Sequence, residues 1–147
     1  MEALTLDAQD TYINTMAGNC LFDLKRYPEA LEYYFKVEIL SPENTRLRRP
    51  IAWCSMAAGK PEIARNYYAL IVEDNPTADD YINAGNVEYC LSAKPKAIDM
   101  YIKALRKPGM SIARFSKTLK ADYQLFESQG VSSSELELLV DYLRYLV

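Results

Sequence analysis

The sequence predicts an all-α fold built from repeated helical hairpins, and three observations carry that prediction. The first is a period. The segments YPEALEYYFKVEILSP (27–42), PEIARNYYALIVEDNP (61–76) and PKAIDMYIKALRKP (95–108) align on Ala30, Ala64 and Ala97, 34 and 33 residues apart. The second is what recurs at fixed offsets from those alanines. A tyrosine follows each by four residues (Tyr34, Tyr68, Tyr101), and a small residue precedes each by twelve (Gly18, Ala52, Gly85). A proline follows by twelve at Pro42 and Pro76 and by eleven at Pro108. The third is the lack of any convincing period-two alternation, which leaves no strand to predict.

A period of this length holds two helices of about 12 to 15 residues and a short turn. Two helices that cross closely need small residues where their backbones meet. Gly18 and Gly85 cost about 1 kcal/mol of helix propensity relative to alanine, a cost that implies a packing role. Ala30, Ala64 and Ala97 are the matching small residues on the second helices, with the tyrosines filling the space beside them. Pro28, Pro61 and Pro95 fall where each second helix should begin, a position that tolerates proline. Pro42 and Pro76 fall just past helix ends. The second helices keep apolar faces: Leu31, Tyr34, Phe35 and Ile39, interrupted by Glu38; then Tyr67, Tyr68, Ile71 and Val72; then Ile98, Tyr101, Ile102 and Leu105. Pro50 lies inside the expected first helix of the second copy, so that helix starts near Pro50 or kinks there.

After Gly109 the pattern changes. Met110 to Ser128 reads as one helix with Ile112, Phe115, Leu119, Tyr123 and Phe126 inward, and Gly130 breaks it. Ser132 to Glu135 supplies an N-cap and capping box for a last helix with Leu136, Leu139, Val140, Leu143 and Leu146 on one face. This pair reads as a divergent fourth hairpin that covers the end of the stack. A second stripe on the last helix, Leu138, Tyr142 and Tyr145, does not suit a solvent-facing cap. It implies an interface, either with a partner or a second copy in a homodimer, or with further repeats if the chain is part of a longer protein. An ordinary crowded helix surface is the alternative.

The repeated glycine or alanine, alanine, tyrosine and proline resemble the tetratricopeptide repeat family, over about residues 11 to 108. Tyr81 fits the family pattern at the opening of a first helix, whereas Asn14 and Arg48 stand where the family prefers a large apolar residue. The resemblance implies one domain over residues 1–147, with repeats at about 11–44, 45–77 and 78–108 and a helical hairpin at 110–147. It implies a right-handed superhelix of antiparallel hairpins, about eight helices in all, whose first helices line a concave groove. Members of the family bind peptides or partner proteins and are rarely catalytic. Carrying the groove positions over gives Tyr12, Thr15, Met16, Asn19, Phe22 and Asp23; Arg46, Arg49, Pro50, Trp53, Met56 and Ala57; and Asp79, Ile82, Asn83, Asn86, Tyr89 and Cys90. Asparagine can clamp a peptide backbone, and Trp, Tyr, Met and Arg are the residue types of binding hot spots. Phe22, Met56 and Tyr89 read equally well as core. Arg46, Arg48 and Arg49 beside Trp53 could receive a carboxylate, or form a solvated basic turn. The branch of the family that grips the C-terminal carboxylate of heat-shock chaperones uses two lysines, an arginine and two asparagines. Here those positions hold Thr15, Asn19, Pro50, Asp79 and Asn83, and only Asn19 matches, so that ligand is not expected.

Composition narrows the remaining classes. The chain has 147 residues, a net charge of −3 and no histidine. The charge gives no reason to expect nucleic acid. No apolar run approaches the roughly 20 residues of a membrane span, and MEALTLDAQD does not resemble a signal peptide. Cys20, Cys54 and Cys90 are too far apart for a metal knuckle and read as buried free thiols of a cytoplasmic protein. Without histidine the commonest general base is missing, and Glu73, Asp74, Asp79 and Asp80 fall at helix termini, where carboxylates are commonplace. No enzyme, cofactor or metal is therefore expected. The expected function is a protein-interaction module, an adaptor or scaffold. The alternative is a bacterial secretion-type chaperone that holds an extended apolar segment of its client.

Overall fold

The computed structural model describes residues 2–147, with side chains from Ala8 onward. The described residues form nine helices and no strand. These are α1 (Glu2–Asp23), α2 (Tyr27–Leu40), α3 (Arg48–Ala57), α4 (Pro61–Ile71), α5 (Ala78–Cys90), α6 (Lys94–Leu105), α7 (Ile112–Ala121), α8 (Tyr123–Ser128) and α9 (Ser133–Leu146). The all-α class is as expected. The chain divides into two compact units within α4, one running to Tyr67 and one from Tyr68.

The repeat is written in the backbone of the turns. Lys25, Gly59, Ser92 and Gly130 all have left-handed φ, at 59°, 78°, 62° and 82°. Each closes the preceding helix with the same pair of bonds. The Lys25 N–H donates to the Phe22 carbonyl at 2.9 Å and that of Arg26 to Leu21 at 2.8 Å. Gly59 and Lys60 repeat this on Met56 and Ser55, Ser92 and Ala93 on Tyr89 and Glu88, and Gly130 and Val131 on Glu127 and Phe126. This is a Schellman cap, which satisfies the last carbonyls of a helix and turns the chain back. Proline sits in the first turn of each following helix in the three repeats, as Pro28, Pro61 and Pro95. Pro50 also proves to be in a first turn, because α3 starts at Arg48, where a missing N–H breaks no helical bond.

In the first unit α1 packs on α2 and α2 on α3. Its core is Ala30, Leu31, Tyr34 and Val37 of α2 with Leu47, Ile51 and Cys54 around α3. In the second unit α5 packs on α6, α6 on α9, and α7 on α8 and α9. Its core joins Ile82, Tyr101, Phe115, Leu119, Phe126, Leu136 and Leu143. The hairpins α1–α2 and α5–α6 share one crossing. A methyl added at Gly18 would lie 2.7 Å from the Tyr34 ring, and one at Gly85 2.5 Å from the Tyr101 ring. Both rings are fully buried, so neither can move aside. The glycines are therefore the seats of the tyrosines, the packing role that their propensity cost implied.

Two expectations need correction. The single helix expected over Met110–Ser128 divides at Asp122, where φ −98°, ψ 17° and a bond to Leu119 three residues back replace the α-helical pattern. Aspartate is a poor helix former, which makes such a break less costly. The box at Ser132 is half made: the serine hydroxyl accepts from the Glu135 N–H at 3.2 Å, but the Glu135 carboxylate is engaged by Tyr89 instead.

Ser92 is exposed and holds a left-handed φ that an L side chain adopts at a cost of roughly 1 kcal/mol. Ser92→Gly should raise unfolding stability by about 0.5–1 kcal/mol in urea denaturation. A loss of stability would mean that the turn does not have this geometry.

Candidate functional site

The expected groove residues divide between the two units. In the first unit, α1 carries Tyr12, Met16 and Asn19 as an exposed stripe at i, i+4 and i+7. Thr15, half-buried beside them, donates its hydroxyl to the Thr11 carbonyl at 2.7 Å. The stripe leads to a cleft of about 320 Å³ lined by Asn19, Phe22, Tyr34, Arg49, Pro50 and Trp53. Its floor is aromatic. The Trp53 ring centroid lies 5.2 Å from that of Tyr27 and 6.4 Å from that of Phe22, and Phe22 meets Tyr27 edge-on at 5.7 Å. Edge-to-face and tilted pairs of this kind fix the ring positions, and Trp53 remains half-buried at the cleft. Asn19, Phe22, Arg49 and Trp53 are thus brought together at one cleft. Arg46 is exposed, in the turn where its backbone N–H donates to Asn44 Oδ1 at 3.0 Å.

Other expected residues have structural duties. Met56 is only 3% exposed and belongs to the core, not to a ligand surface. Asn86 is 2% exposed, and its Oδ1 accepts from the Tyr101 hydroxyl at 2.7 Å. It is a buried partner of the tyrosine that sits on Gly85 and is not placed to clamp a peptide. Asn19 stands in the equivalent place, with Oδ1 accepting from Tyr34 at 2.8 Å, but its side chain remains exposed at the cleft. Tyr89 is buried too, and its hydroxyl donates to Glu135 Oε2 at 2.5 Å. Asn83 is half-buried on α5. Of the thiols expected to be buried, Cys54 is, Cys90 is half-buried and Cys20 is exposed, because it falls on the outer side of α1.

Sequence reasoning missed two tyrosine–carboxylate pairs. The second matches Tyr89–Glu135: Tyr67 of α4 donates to Glu38 Oε2 of α2 at 2.5 Å. Glu38 was the exception in an apolar face, and that exception was the available signal. Also missed was a larger pocket in the second unit, of about 630 Å³, where Lys94, Pro95 and Ile98 face Leu138, Leu139 and Tyr142. Leu138 and Tyr142 were named as an interface; the residues opposite them were not. Lys94 Nζ stands 5.6 Å from the centre of the Tyr89 ring at this pocket.

No family model matches the chain, and no curated protein matches it in sequence. Among the described residues no helix is long and apolar enough to cross a membrane, and no cluster of three or more metal-ligating side chains occurs.

The buried hydroxyls and thiols set the response to alkali. Burial pushes Tyr34 up to about 12, and raises Tyr101 well above the ordinary tyrosine value. Burial first, then the hydrogen-bonded carboxylates of Glu38 and Glu135, raise Tyr67 and Tyr89. Burial alone takes Cys54 to about 12 and Cys90 to about 11. A group that holds its proton more tightly when folded contributes its full stability below its unfolded pKa and loses it as pH rises toward the folded one. The urea midpoint should therefore be level up to about pH 8, begin to fall near 9 with the thiols and fall steeply above about 10. Tyrosinate absorbance of the buried rings should appear only together with loss of helical circular dichroism. Full tyrosine titration with the helices intact would contradict the burial described.

Proposed function

We propose that the chain is a non-catalytic protein-interaction module of the tetratricopeptide kind, which binds an extended segment of a partner protein at the aromatic cleft of its first unit. One observation carries the reading: a half-buried Trp53, propped by Tyr27 and Phe22, opens onto a cleft rimmed by an amide, an arginine and a proline. Such an apolar floor with a few polar groups at its edge suits a peptide side chain and its flanking backbone. The cleft is near the small end of ligand pockets, with room for one or two side chains rather than a cofactor. The repeated turns at Lys25, Gly59 and Ser92 support the family reading, since they recur 34 and 33 residues apart, the period of the sequence repeat. An extended apolar client, of the kind a secretion chaperone holds, is the second form such a partner takes; the rim of Asn19 and Arg49 favours a more polar peptide. Free thiols at Cys20, Cys54 and Cys90 support a reducing compartment such as the cytoplasm.

Trp53 is the sole tryptophan, so intrinsic fluorescence reports directly on the cleft. A peptide from a partner captured by the native chain should shift that emission on titration. Trp53→Ala should weaken binding by a factor of about 30 or more, as loss of a hot-spot aromatic does. Circular dichroism melts of the variant check that folding is kept. Unchanged affinity in a folded Trp53→Ala protein would remove the cleft from the binding surface.

A further inference from the structure

The last helix is finished on one side and unfinished on the other. Leu136, Leu139, Val140 and Leu143 are buried. On the opposite side Leu138, Tyr142 and Tyr145 remain 68%, 52% and 87% exposed. At i, i+4 and i+7 they form one stripe along α9, and Leu138 and Tyr142 continue into the pocket walled by Pro95, Ile98 and Leu139. The stripe leaves roughly 400 Å² of largely apolar surface in water, as much as the largest patch on an ordinary monomer. One edge of the stripe is charged, with Glu137, Asp141 and Arg144 all exposed. Arg144 Nη1 lies 2.8 Å from Asp141 Oδ1, but both groups are in water and that bond holds them weakly.

We propose that this face is occupied by a second copy of the chain, with the two α9 helices antiparallel about a two-fold axis that passes between residues 141 and 142. The face is complementary to itself only in that orientation. Tyr145 and Leu138 are seven residues apart, about 10 Å along the helix. Antiparallel pairing sets the Tyr145 of each copy against Leu138 and the pocket mouth of the other, a projecting ring against a hollow, twice over. Tyr142 meets its own counterpart near the axis. In antiparallel pairing the same edge of each stripe faces itself, so each Arg144 comes beside Glu137 and Asp141 of the second copy. A parallel two-fold pair would instead set the charged edge of each copy against the opposite edge of the other, where Glu135, Leu139 and Leu146 fall and no basic residue meets Glu137 and Asp141. Two stripes with their charged edges would bury on the order of 1,000 Å², the lower range of a specific interface. The proposal does not depend on the Trp53 cleft, which lies in the other unit.

The test is sedimentation equilibrium of the full chain at micromolar and higher concentrations, beside three variants. The wild type should reach twice the 16.8 kDa chain mass as concentration rises. Tyr145→Glu should be monomeric. Arg144→Glu makes the edge wholly acidic, and Glu137→Lys with Asp141→Lys makes it wholly basic. Each should weaken self-association by about tenfold or more, and an equimolar mixture of the two should recover it. All the altered side chains are exposed, and thermal melts confirm that each variant is folded. A wild type that stays monomeric to the solubility limit overturns the proposal. So does a dimer indifferent to Tyr145→Glu, and so does a mixture no stronger than its components.

Discussion

A tyrosine ring that rests on a glycine holds each of the hairpins α1–α2 and α5–α6. Tyr34 lies over Gly18 and Tyr101 over Gly85, closely enough that one added methyl has no room. The hydroxyl of each ring then reaches the amide oxygen of the next residue, Asn19 or Asn86. Three requirements are met in one place: the backbones come close, a large apolar area is buried, and the phenol is not left without a partner. Tyr101 and Asn86 show the stronger form, because both are inside the core, where an unpaired hydroxyl or amide would be destabilising. What the rest of each hairpin does follows from this crossing. The left-handed turn residue brings the second helix back at the right height, and the proline starts it.

The candidate cleft depends on the same crossing. Tyr34 belongs to both the core and the cleft wall, and Asn19, which takes its hydroxyl, stands at the rim. The ligand face of α1 and the packing face of α2 are thus joined by one hydrogen bond. In the second unit the corresponding asparagine is buried and offers no amide to a ligand at that position. The surface of that unit has a different character: a broad apolar pocket beside the exposed stripe of α9. Each unit therefore presents its own candidate surface.

Much of this fold was readable because the repeat imposes the same steric demand several times. A glycine in a helix interior with a tyrosine sixteen residues on has few explanations, and two occurrences at Gly18 and Gly85 have fewer. The prolines mark helix starts through a backbone constraint that context cannot change. The roles of the asparagines were harder to read. An amide on the face of a first helix serves a bound peptide or a buried phenol equally well, and the choice turns on whether a neighbouring helix covers it. That is why Asn19 remained a surface residue and Asn86 did not. Met56 failed for the same reason, since an apolar residue at a groove position carries no mark of its exposure. The turns at Lys25 and Ser92 were hidden because neither is glycine. The break at Asp122 is a choice between two hydrogen-bond patterns that differ little in energy.

The measurement that bears most directly on this account is the urea stability of Gly85→Ala. Helix propensity alone predicts a gain of about 1 kcal/mol. A methyl driven against the immobile Tyr101 ring predicts overpacking of about 1–3 kcal/mol, which outweighs that gain. The account predicts a lower urea midpoint than wild type with an unchanged slope. A raised midpoint would show that the ring does not sit on Gly85, and the crossing described here would be wrong.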